Sequence, residues 1–78
     1  MGAKQLKLIV TFHTTTSAMA MEKICMEKNI AGRLIPVPSG ISTGCGLSWC
    51  APLEARDLIE LAAKAANIET AGYYEFLV

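Results

Sequence analysis

Four short runs of strand-like pattern, broken up by two helical repeats, follow one another along the chain as strand, helix, strand, strand, helix, strand. That order leaves few ways to fold. In the opening run, 6-LKLIVTF-12, Leu6, Leu8, Val10 and Phe12 fall on one face and Lys7, Ile9 and Thr11 on the other, the period-two signature of a strand. Next comes 13-HTTTSAMAMEKICMEKN-29, where Thr14 to Ser17 offer hydroxyl caps and Ala, Met, Glu and Lys favour helix. Its stripe is Ala18, Met21, Ile24 and Cys25. Glu22, Lys23 and Glu27 lie away from the stripe, with Met19 and Met26 on the polar side. The helix is expected to stop near Asn29, ahead of Gly32.

The second strand, 33-RLIPV-37, contains Pro36 and is followed by Pro38; proline removes a ladder donor, so this strand belongs at a sheet edge. A third strand spans Leu47 to Ala51. Pro52 suits the first turn of the next helix, and Glu54 and Asp57 place negative charge near its positive end. That helix is expected to bury Ala55, Leu58, Ile59, Ala62 and Ala65 or Ala66, with Arg56, Glu60 and Lys64 outward. Gly72 breaks the pattern, and 73-YYEFLV-78 makes the last strand.

The β-α-β-β-α-β order is that of the ferredoxin-like sandwich, an α+β fold with both helices on one face of a four-stranded antiparallel sheet. The 78 residues make a single domain, 1–78, able to bury only roughly 60–65% of its unfolded surface. In this topology the first two strands run the same way. The loops leaving them, His13–Thr16 and Pro38–Gly46, therefore emerge at one end, beside the N-terminus of the first helix.

Seven basic residues balance seven acidic ones, which gives no footprint for nucleic acid or for an anionic membrane surface. No apolar run approaches the roughly 18 residues that span a bilayer. The N-terminus reads as a strand, with neither a signal-peptide cleavage site nor, with Leu6 at position six, a myristoylation motif. Three cysteines without a disulfide-like spacing fit reduced thiols in the cytoplasm.

Within 38-PSGISTGCGLSWCAP-52, Cys45 sits between Gly44 and Gly46, after Pro38, Ser39, Gly40, Ser42 and Thr43. A thiol reacts as the thiolate, which a helix N-terminus or a cationic neighbour favours. Flanking glycines remove steric cover and offer backbone N–H groups to an anion. Cys45 is therefore the candidate reactive residue, with Gly44, Gly46, Ser42, His13, Thr14 and Thr15 as candidate binding residues. The competing account is a tight hairpin loop in which cysteine serves as a small residue. Cys25 reads as packing, and Cys50 alternates away from Leu47, Trp49 and Ala51. With one histidine and no Cys-x-x-Cys pair, a metal site is not expected, and nothing calls for a cofactor. No acid/base pair, nucleophilic triad or phosphate loop points to an enzyme.

The uncovered sheet face is the other informative surface. It is expected to carry Ile9 and Thr11, with Tyr73 and Leu77 around Glu75, if Tyr74 and Phe76 point inward. An apolar face of this kind invites a second copy, and the exposed Met19 and Met26 offer another adaptable contact.

The opening strand ending in Phe12, the Thr-rich helix start with Ala18 and 22-EK-23, "RLIPVP" and "ISTGCGLSW" together resemble the selenium/sulfur carrier-like family of short bacterial domains. The resemblance spans most of the chain, and the proline pair followed by Ser42 and Gly44-Cys45-Gly46 is its most specific part. It implies a non-enzymatic carrier that holds sulfur or selenium on Cys45 and meets a donor enzyme and an acceptor protein. The alternative is a dimeric binding or regulatory module that uses the sheet face, with no thiol chemistry.

Overall fold

The computed structural model describes residues 4–41 and 45–78. Its elements are β1 (Leu6–Thr11), α1 (Thr15–Glu27), β2 (Arg33–Pro36), β3 (Leu47–Ala51), a 3-10 turn (Leu53–Ala55), α2 (Arg56–Ala65) and β4 (Gly72–Leu77). The strands form one sheet in the order β2-β3-β1-β4, and every ladder is antiparallel. This is an α+β fold. The proline-bearing β2 lies at an edge, as a strand short of a donor must.

Leu8, Val10 and Phe12 of the first strand run, with Trp49 and Ala51 of β3, share one buried cluster with Ala18, Met21 and Cys25 of α1 and Ala55, Ile59, Ala62 and Ala63 of α2. Both helices thus cover the same sheet face. The buried stripe through α2 is Ala55, Ile59, Ala62 and Ala63, at i, i+4, i+7 and i+8, which turns Leu58 outward (56% exposed) and leaves Ala65 and Ala66 exposed, against the expected stripe. Ala63 takes the inward place instead.

Both helices end on the same dipeptide. Asn29 and Asn67 have φ of 57° and 56°, the left-handed conformation that closes a helix and that asparagine tolerates. The Ile30 N–H donates to the Cys25 carbonyl at 2.8 Å and the Ile68 N–H to the Ala63 carbonyl at 2.9 Å, the long bond of a Schellman cap. Each isoleucine then folds back toward the core. The stop signal for α1 is therefore Asn29 itself, not the glycine beyond it.

The second sheet face differs from the expectation. Phe76 pairs with Lys7 and Tyr74 with Ile9, whereas Tyr73 pairs with Val10. Tyr74 and Phe76 therefore share the face of Ile9, and Tyr73, Glu75 and Leu77 lie on the helix side. Nor is this face open. Residues 38–41 form a turn closed by the Ile41 N–H on the Pro38 carbonyl at 3.1 Å, with Gly40 at φ 101°, where a side chain would be strained. From the β2 edge this turn reaches the opposite edge, where a Cβ on Gly40 would lie 3.4 Å from the Phe76 ring. On this face, away from the helices, Ile9, Thr11 and Ser48 are fully buried.

Candidate functional site

Cys45 lies at the end of the sheet from which β1 and β2 both exit. β1 and β2 each pair antiparallel with β3 and so run the same way, which brings the loops that follow them to one end, as expected. Continuing the β1–β3 register beyond Thr11↔Ser48 sets His13 level with Gly46. The Val37 N–H donates to the Gly46 carbonyl at 3.0 Å and closes the β2–β3 loop just after the thiol.

The immediate geometry of the thiol is local. The Leu47 N–H donates to Cys45 Sγ at 3.4 Å, and the thiol donates to the Leu47 carbonyl at 3.4 Å. This side chain–backbone bond across two residues is the sulfur counterpart of the turns made by serine and aspartate. The two halves respond differently to ionisation. The Leu47 N–H can go on donating to a thiolate or a sulfur adduct, while the carbonyl loses its donor and faces the negative charge.

Cys45 is half-buried and packs against the edge of the helix-side core. Gly46 follows at φ 81°, which favours glycine. Among the described residues, no atom beyond its chain neighbours lies within 4 Å of where a Gly46 Cβ would stand.

His13, Thr14 and Thr15 are exposed at the same end. Thr14 is the N-cap of α1, its hydroxyl accepting from the Ser17 N–H at 3.1 Å and donating to Ser17 Oγ at 3.1 Å. Among the described residues, no hydrogen bond joins Cys45 to His13, Thr14 or Thr15, and the Thr14 hydroxyl is engaged at the start of α1. Ser42 and Gly44 lie outside the described residues.

The other thiols occupy different environments. Cys25 is fully buried with its Sγ 3.6 Å from Met21 Sδ, and burial pushes its pKa up to about 11; it is held as the neutral thiol. Cys50 lies on the face away from the helices, opposite Ile9 and Arg33. All three cysteines are free. Among the described residues, no three His, Cys, Asp or Glu side chains gather as metal ligands, and no helix is long and apolar enough to cross a membrane.

A protein-family model described as "Putative Se/S carrier protein-like" matches residues 7–75. No curated protein and no solved structure matches the chain. The matched span runs from the first strand to the last and includes the Cys45 loop, and the chain belongs to the Se/S carrier protein-like family.

Proposed function

We propose that the protein is a non-enzymatic carrier that holds sulfur or selenium on Cys45. The observation that carries this reading is the half-buried Cys45 thiol, braced by Leu47 and followed by the left-handed Gly46, in a chain of this family. In sulfur transfer, the Cys45 thiolate attacks the terminal sulfur of a persulfide on a donor enzyme. The donor's S–S bond breaks, its thiolate leaves, and a new S–S bond forms on Cys45. No outside oxidant is needed. The Leu47 N–H donates to the product, and a second thiol on an acceptor protein reverses the step.

The role calls for a reducing compartment, which three free cysteines fit, and we assign the protein to the cytoplasm. It also calls for two protein partners and neither a nucleic acid nor a membrane. His13 and Thr15 stand at the same end as candidate contacts for those partners, and Ser42 and Gly44 remain part of the proposed loop. The β-α-β-β-α-β order with β2-β3-β1-β4 in space fits a ferredoxin-like arrangement, which would present this loop beside the start of α1. A dimeric module working through the sheet face has less support, because Ile9 and Thr11 are buried within one chain.

The test is intact-mass analysis after incubation with a cysteine desulfurase and cysteine, with Cys45→Ser alongside. Gain of one sulfur by the wild type and none by the variant is expected. Equal gain by both would remove Cys45 from the role. No gain with this donor, whether it is supplied with cysteine or with selenocysteine, would overturn the carrier reading.

A further inference from the structure

A second thiol stands in a differently charged place. Lys7, Arg33 and Cys50 line one pocket of about 390 Å³, with Ile35, Pro52 and Val78 among its walls. The sheet register brings them together. Arg33 lies directly across from Cys50 on β2, and Ile9 lies across from it on β1. Lys7, two residues before Ile9, shares that face. Directly opposed side chains start about 5 Å apart and diagonal ones about 7–8 Å, within reach of long basic side chains.

Among the described residues no acidic side chain lines the pocket, and the carboxylate on its wall is the main-chain one of Val78. Glu75, beside Phe76 on β4, lies on the helix side of the sheet. Among the described residues the one ion pair is Arg56–Glu60, so neither Lys7 nor Arg33 is held in an ion pair. Arg33 is exposed and Lys7 half-buried, while Cys50 is only 8% exposed. Two unpaired cations beside a low-dielectric wall attract a small anion more strongly than they would in open water, and guanidinium is suited to oxyanions.

We propose that this pocket is a second ligand site, which takes a small oxyanion between Lys7 and Arg33 and sets it against the Cys50 thiol. It lies on the face away from the helices, while Cys45 packs at the edge of the helix-side core. The site does not depend on Cys45 carrying sulfur. It makes Cys50 selective for anionic reagents.

The test compares alkylation by iodoacetate, an anion, and by iodoacetamide, its neutral counterpart, with each cysteine resolved by peptide mass. The iodoacetate-to-iodoacetamide rate ratio at Cys50 is expected to exceed that at Cys45 by about three- to tenfold. It should fall to the Cys45 value in Lys7→Gln and Arg33→Gln and persist in Lys7→Arg and Arg33→Lys. Sulfate should slow iodoacetate at Cys50. The iodoacetamide rate serves as the control for an intact fold. A ratio no higher than at Cys45, a ratio unmoved by either neutralising variant, indifference to sulfate, or a Cys50 that reacts with neither reagent would overturn the proposal.

Discussion

Gly32 lies against the edge of the Trp49 indole: a Cβ on Gly32 would stand 2.4 Å from Nε1 and 2.6 Å from Cε2. The Gly32 backbone is at φ 142°, which side-chain-bearing residues rarely adopt. Trp49 is 2% exposed, and its Nε1 has no hydrogen-bond partner among the described residues, so the indole is fixed by packing alone. Gly32→Ala therefore combines overpacking with backbone strain and is expected to cost about 2–4 kcal/mol. Urea unfolding followed by tryptophan fluorescence measures it. A loss below about 1 kcal/mol would mean that the Gly32–Trp49 contact yields easily.

The paired asparagine caps make a second prediction. Asn29→Ala and Asn67→Ala are each expected to lose about 1 kcal/mol, because alanine pays more than asparagine for the left-handed region. Asn29→Gly and Asn67→Gly should be neutral or slightly stabilising. Thermal unfolding of the four variants separates the conformational effect from side-chain contacts, since both asparagines are exposed.

Stability should fall in alkali. The folded-state pKa of Cys25 lies above its ordinary value, near 11 against 9.0, so the native state keeps a proton that the unfolded chain gives up. The stabilisation is complete below pH 9 and is lost as pH rises toward 11, by at most about 1.4 kcal/mol per pH unit. Tyr73, its pKa raised mainly by burial, adds to the fall at the upper end. Cys25→Ala should flatten the decline between pH 9 and 10 in urea titrations at stepped pH, whatever it costs at neutral pH.

Thr14→Ala should lower stability by about 1 kcal/mol through loss of the N-cap bond to the Ser17 N–H. The rate at which Cys45 is alkylated is expected to stay within about twofold of wild type at each pH, since among the described residues no hydrogen bond joins Thr14 to the thiol. A shifted pH profile for Cys45 in this variant would show that the N-cap region acts on the thiol.

The strands were legible because the chain alternates in β1 and β3, and the edge position of β2 followed from proline. The faces of β4 were not. In 73-YYEFLV-78 apolar residues occupy both parities, so periodicity has no sign, and only the pairing of Tyr73 with Val10 decides it. The outward place of Leu58 was not legible because apolar residues at 58, 59, 61, 62, 63, 65 and 66 allow more than one helical stripe, and packing selects the one through Ile59, Ala62 and Ala63. Cys45 stood out through its glycine neighbours, and the shared end of the β1 and β2 loops followed from topology. The pocket of Lys7, Arg33 and Cys50 gave no sequence signal, because its members come from three segments that only the ladder joins.

The pairing pattern also bears on when the thiol loop takes shape. β2 and β3 are successive strands joined by one loop, whereas β1 must find β3 and β4 across both helices. Closing a short loop costs less chain entropy than closing a long one, and non-local pairings are the slow steps of folding. The hairpin that holds Cys45 is thus the strand pair that forms most readily. Its far partner β4, with the Phe76 ring that receives Gly40, leaves a ribosome last. A nascent chain can close the turn around its thiol before the sheet is complete, but the strap across the back of that sheet has to wait for the final strand.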